Sequence, residues 1–459
     1  MTNKLHLHLT VVLILVLVSG FGCRGLSQEQ LAAVQPVNLE YWTVFNDVAL
    51  LQQFVNEYRQ QNHSYININI RQVRVEEFDR LFVNALADEV APDIVSLHAR
   101  WLRQYQNRLL AMPPSVRVAS VFIKGKYQPE TVVTVSNNLM PTRNSIKRDF
   151  ITTVGDDVIN GESVYGLPLA ADTLALYYNK ELLDKAGVPV PPATWTEFTE
   201  AVKKATRYDR DGNIIQSGVA MGTGNNIDNA ADILIALMAQ NGVTVARGGV
   251  VSFANGLDRS NPAHPALEAM RFYTDFAQPT KDVYAWNAKM NNALEEFARG
   301  KSVFYVGYAY DRPRIQARGP QLEIEAVPLP QLNPAVPGNV ANYWVEAVVK
   351  KTKNPNEAWD FIRFMTTAEN IKRYTEATGQ PSPLRAQIAA QQDNPNLAPF
   401  AAQILYAQNW YRGADYNAAK LAFTDLLASY LEPYGENQDS TERDANLIGR
   451  AQQVVQQTY

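Results

Sequence analysis

The chain has 459 residues, too many for one compact core, so two or three domains are expected. Its net charge of −4 becomes −5 once residues 1–22, with their single Lys4, are removed. No basic excess is left to neutralise phosphates, which excludes a general nucleic-acid binder.

The first element in chain order is an export signal. Lys4 and the amino group supply positive charge, residues 9–18 are uninterruptedly apolar apart from Thr10, and Ser19-Gly20-Phe21-Gly22 follows. The tract is shorter than the roughly 20 apolar residues of a spanning helix. Cys23 is the only cysteine, so it can form no internal disulfide, and its place just past the apolar core suits thioether lipidation. The tract resembles a lipobox, with Gly20 where the box has Leu and Phe21 next. Residues 1–22 are therefore expected to be a signal peptide and 23–36 a lipid anchor with a polar, solvated tether. That makes the protein exported and membrane-anchored on the extracytoplasmic side.

Order is expected from Val37. Val37, Leu39 and Tyr41 alternate with polar residues as in a strand. Leu51, Phe54, Val55 and Tyr58 form a helical stripe. Ile66, Ile68 and Ile70 mark a second strand, Phe78, Leu81, Phe82 and Ala85 a second stripe, and residues 93–97 a third strand. This βαβαβ pattern implies a mostly parallel sheet, with ligands beyond the carboxyl ends of its strands, at 43–47, 72–76 and 98–101. A second α/β block follows from Tyr165. In it Thr194 and Glu197 have capping-box spacing, residues 231–240 read as a buried helix, 292–299 as a helix closed by Gly300, and 303–306 and 324–327 as strands. Residues 345–349 read as a strand, Asn354-Pro355 as a helix start, and 384–459 as helical.

Three stretches carry a family resemblance. Tyr165-Gly166-Leu167-Pro168 is followed by Leu176-Tyr177-Tyr178-Asn179-Lys180-Glu181-Leu182, Ala186-Gly187-Val188 and Pro192-Ala193-Thr194-Trp195-Thr196-Glu197-Phe198. Phe297-Ala298-Arg299-Gly300-Lys301-Ser302-Val303 is the second stretch, and 345–350 with Asn354-Pro355-Asn356-Glu357-Ala358-Trp359-Asp360-Phe361 and Gly379-Gln380-Pro381 the third. Together they resemble the bacterial extracellular solute-binding proteins of the maltose-binding type, over nearly the whole mature chain. The resemblance implies an α/β, two-lobed periplasmic-binding-protein-like fold with discontinuous lobes: 37–170 plus 330–378, and 173–325 plus 384–459. Crossings are then expected near 170–173, 326–330 and 378–384.

Catalytic patterns are weak. Gly161-Glu162-Ser163-Val164-Tyr165 lacks the closing glycine of a nucleophile elbow. His63, His98 and His264 show no metal-ligand spacing, and Asp209-Arg210-Asp211-Gly212-Asn213 lacks the Gly and Glu of a calcium loop. No cofactor is expected, and no enzyme. Binding is favoured by 22 Tyr and 7 Trp, since sugars need flat apolar faces and planar polar partners. The resemblance places the candidate ligand contacts at Phe45, Asn46 and Asp47, at His98, Arg100 and Trp101, at Asp172, at Asn226 and Asp228, at Tyr308 and Tyr310, at Tyr343 and Trp344, and at Tyr416. It implies a monomeric receptor for a small polar solute, a carbohydrate first among them, serving ABC permease subunits. The rivals are an exported glycan-processing enzyme and a solute sensor feeding a signalling partner.

Overall fold

A computed structural model describes residues 27–125, 130–434 and 439–459. The signal tract and Cys23 lie outside the described residues. Among the described residues no helix is long and apolar enough to cross a membrane.

The first sheet has the order Ile66–Gln72, Val37–Thr43, Ile94–His98, Trp344–Val349, Leu109–Leu110. Its first three strands are parallel, as the βαβαβ pattern requires, and Trp344–Val349 runs antiparallel to Ile94–His98. The helices Val48–Gln60 and Val75–Ala87 bury Leu51, Phe54, Val55 and Tyr58, and Phe78, Phe82 and Ala85. The second sheet has the order Arg207–Tyr208, Ile214–Val219, Ser302–Gly307, Ala175–Asn179, Ile324–Pro328. Thr194 and Glu197 close their capping box at the start of helix Trp195–Ala205.

Each sheet has its own apolar core, and the residues of those cores show where the chain changes lobe. The first passage falls between Ala171, in the first core, and Leu174, in the second. The second is not at 326–330: Ile324–Pro328 is an edge strand of the second sheet, and the change comes between Val340 and Ala341. Alternate side chains of a strand point to opposite faces, so Asn339–Asn342 sends one neighbour into each core. The third passage is not at 378–384 either. Leu384, Ile388, Ala401, Ile404 and Ala407 belong to the first core, with Phe400 alone reaching into the second, and the change falls between Ala407 and Trp410. The prolines at 328, 330, 381 and 383 stop elements without changing lobe. A three-stranded sheet, Ala407–Gln408, Asn339–Asn342, Asp172–Thr173, joins the passages.

Two further differences concern the N-terminal region. Residues 24–36 are not wholly a tether, because Gln28–Ala33 is helical, with Ser27 and Gln30 forming a capping box. Gln30 Nε2 donates to the carbonyl of Val133, 3.4 Å away, on a long hairpin of Ser115–Lys124 and Glu130–Leu139 that the sequence reading did not include.

Gly166 shows how tightly the first lobe is fitted. A Cβ there would fall on Val345 Cγ1 and 2.6 Å from the Glu346 carbonyl oxygen. The neighbouring Leu167 exchanges both backbone hydrogen bonds with Glu346, at 3.1 and 3.0 Å. Gly166→Ala is expected to destabilise the protein by about 1–3 kcal/mol, read as a lowered urea midpoint; a midpoint equal to wild type would refute this close fit.

Candidate functional site

The loops at the carboxyl ends of the first sheet meet the second lobe across a cleft. Phe45 follows Val37–Thr43 and is 46% exposed. It stacks on Trp344 of its own lobe, with centroids 5.3 Å apart, and meets Tyr310 of the other lobe edge-on at 5.5 Å. Tyr310 in turn stacks on Tyr308 at 5.4 Å. Phe45, Tyr310 and Trp344 line a cavity whose polar lining includes Asn46, Asn342 and Gln380.

Beside it lies an ion pair that joins the lobes. Arg100, at the end of Ile94–His98, is only 2% exposed, and its Nη1 lies 2.9 Å from Asp232 Oδ1. Asp232 projects from the second-lobe helix Ala230–Gln240 and also accepts from Tyr308 Oη at 2.6 Å and Trp410 Nε1 at 2.7 Å. Arg100 donates to Tyr416 Oη at 2.7 Å and to the Ala341 carbonyl at 3.2 Å. Its guanidinium carbon lies 5.2 Å from the ring centres of both Trp410 and Tyr416. Burial by itself would raise the Asp232 carboxyl, but the Arg100 charge and the Tyr308 and Trp410 donors hold it below the usual range. His98 stacks on Tyr416 at 5.8 Å and pairs through Nε2 with Asn342 Oδ1. Burial, then the Arg100 charge, pushes its imidazole down to about 3, so it is neutral.

The structure thus brings Phe45, His98, Arg100, Tyr308, Tyr310, Trp344 and Tyr416 to one cleft. Others among the expected contacts have different tasks. Asp47 caps Val48–Gln60 by accepting from Leu50 N at 3.0 Å. Asn226 is spent within its own lobe, donating to the carbonyls of Asn287 and Met290 at 3.0 and 2.9 Å. Asp228 is exposed and accepts from Asn292 Nδ2 at 2.9 Å. Trp101 stacks on Phe78 at 5.5 Å and supports Trp344 edge-on from behind. Tyr343 turns its hydroxyl away from the cleft to Asp157. Asp172 is buried and accepts from the backbone N–H groups of Thr173, Ala309 and Tyr310 at 2.8, 3.0 and 3.2 Å, so it fixes the loop that carries Tyr308 and Tyr310. Burial outweighs those donors and raises its carboxyl to about 7. Asn46 borders the cavity, but its amide donates to Glu346 Oε1 at 2.7 Å and accepts from Tyr374 Oη at 3.3 Å.

Asp232 and Trp410 were missed by sequence reasoning. Asp232 had a signal, being the one charge in an otherwise apolar helical run. Trp410 had none, because its place depends on the third passage between lobes.

A family model described as bacterial extracellular solute-binding protein matches residues 54–400. A probable ABC transporter-binding protein of Deinococcus radiodurans is 25% identical over 296 residues, which is 62% of this chain and 68% of that one. A multiple sugar-binding protein of Streptococcus mutans is 24% identical over 280 residues, 61% of this chain and 60% of that one. The chain therefore spans roughly two thirds of the length of these curated relatives. The GacH receptor of Streptomyces glaucescens GLA.O, solved unliganded and with acarbose, superposes with a TM-score of 0.66 at 18% identity, covering 92% of this chain and 99% of that one. At that identity the likeness shows the shared two-lobed fold.

Glu346 lies beneath the cleft floor, fully buried, accepting from Tyr41, from Asn46 and from Ser96 Oγ at 3.1 Å. Burial raises its carboxyl to about 7, from 4.5. The folded protein therefore holds this proton more tightly than the unfolded chain does. The stability it contributes is complete below pH 4.5 and is lost as pH rises to about 7, a change on the order of 3 kcal/mol. Asp172 acts in the same direction. Glu346→Gln is expected to flatten, in part, the fall in urea-unfolding free energy across that window. An identical pH slope in wild type and variant would count against it.

Proposed function

Because the chain belongs to the bacterial extracellular solute-binding protein family, we propose that it is the receptor of an ABC importer, capturing a sugar or oligosaccharide between its lobes and delivering it to membrane permease subunits. The observation that carries this reading is the cavity whose aromatic lining comes from both lobes: Phe45 and Trp344 from one, Tyr310 from the other. A pyranose offers apolar C–H faces and a rim of hydroxyls, and the rings and the amides of Asn342 and Gln380 answer both. The Streptococcus mutans relative is named for sugars and the Streptomyces receptor was solved with acarbose, which supports a carbohydrate here. Solute touching both lobes would favour the closed arrangement over the open one, and so shift the population. A monomer anchored through a lipid on Cys23 fits delivery at a membrane, and mass spectrometry of the mature N-terminus tests that anchor; an unmodified thiol would refute it.

A thermal-shift screen of the mature chain against a carbohydrate panel tests the solute class. A binding sugar should raise the melting temperature with concentration. Trp344→Ala should weaken that sugar about two- to tenfold, the effect of losing one stacking face worth about 0.5–1.5 kcal/mol. A blank sugar panel with a hit among amines or peptides would overturn the carbohydrate assignment.

A further inference from the structure

The Arg100 side chain crosses from one lobe into a ready-made cage on the other. Ala99 and Trp101, on either side of it, belong to the first core, whereas Asp232, Tyr308 and Trp410 belong to the second lobe. The cage has a carboxylate at one end, Asp232, already oriented by the Tyr308 hydroxyl and the Trp410 indole N–H. It has two aromatic walls, Trp410 and Tyr416, each 5.2 Å from the guanidinium carbon. The occupant is flat and donates hydrogen bonds along its edges, to Asp232, Tyr416 and the Ala341 carbonyl. A sugar ring has the same two properties, flat faces and donors along its rim.

We propose that Asp232, Tyr308, Trp410 and Tyr416 form a solute subsite on the second lobe, which the Arg100 guanidinium fills as an internal stand-in until a sugar ring displaces it. The sugar as occupant rests on the carbohydrate reading above; the cage and its stand-in do not.

One observation favours a displaceable occupant over a fixed structural pair. The fit is incomplete: Arg100 Nε is buried without a hydrogen-bond partner. A donor left so is a recurring cost of the filled state, regained as hydration when Arg100 withdraws. Taking the guanidinium away leaves the Asp232 carboxylate buried without its counter-charge, so only a solute that brings its own donors to Asp232 can compete. Arg100 then holds the empty receptor nearly closed and keeps water out of the aromatic walls. It also sets a threshold: a solute must supply enough donors to satisfy Asp232 before it can take the place of the guanidinium.

The test uses the mature chain, small-angle scattering and methylguanidine, a free copy of the occupant. Without solute, Arg100→Ala should expand the radius of gyration relative to wild type, and millimolar methylguanidine should restore the compact form by refilling the cage. Asp232→Asn, which keeps the shape of the cage and removes its charge, should expand similarly and should not respond to methylguanidine. Circular dichroism confirms that both variants are folded. A compact Arg100→Ala protein, or one indifferent to methylguanidine, would overturn the stand-in. Maltotriose is the solute probe. Binding at least threefold tighter to Arg100→Ala than to wild type supports displacement; weaker binding would make Arg100 a direct solute contact and overturn it. If neither protein binds maltotriose, that counts against the carbohydrate reading, and the scattering and methylguanidine arms decide the cage.

Discussion

Two buried amides hold the three passages between the lobes together, and the cleft depends on them. Asn339 Nδ2 donates to the Leu174 carbonyl and to Gln403 Oε1, each at 2.8 Å. Gln403 Nε2 donates to the same Leu174 carbonyl at 3.1 Å, and Thr173 Oγ1 donates to the Val340 carbonyl at 3.0 Å. Each passage thus bonds to the other two where the chain leaves one core for the next. A polar group buried without a partner costs free energy, so these bonds define one arrangement of the three strands. The lobes join at that point, and everything in the cleft is positioned relative to it.

Polar chemistry at the cleft is graded by burial and partners. Asp232 stays ionised because it faces Arg100 and two neutral donors, while Glu346 and Asp172 have no cationic partner and are raised to about 7. His98 is held neutral, which lets its ring stack on Tyr416 next to a guanidinium without adding a second positive charge. Arg100 with Asp232 is the ion pair that crosses between the lobes beside these rings, and Arg412 with Asp157, 2.6 Å apart, is another. The aromatic surface suits a neutral, hydroxyl-bearing solute, recognised by stacking and directed hydrogen bonds.

Much of the fold was legible before the structure. The alternation of Val37, Leu39 and Tyr41 and the stripe of Leu51, Phe54, Val55 and Tyr58 state their own elements, because burying one face demands that period. The short helix Gln28–Ala33 had a legible start, Ser27 with Gln30 three residues on, but six residues are too few to show a stripe. The hairpin strand Glu130–Leu139 carries a β-branched run, Thr131-Val132-Val133-Thr134-Val135, which is a strand's composition.

The sequence by itself determined the local elements and the family likeness, and that likeness pointed to most of the aromatic residues that reach the cleft: Phe45, Tyr308, Tyr310, Trp344 and Tyr416. Only the tertiary structure decided where the chain changes lobe, since Val340 and Ala341 are adjacent in a strand whose alternation looks the same whether it faces one core or two. It also decided which polar side chains serve the cleft. Asp47, Asn226 and Asp228 bond to neighbours within their own lobes, whereas Arg100 and Asp232, 132 positions apart, meet across the cleft. Hydrogen-bond satisfaction is settled by what lies within about 3 Å, and sequence separation carries almost no information about that distance.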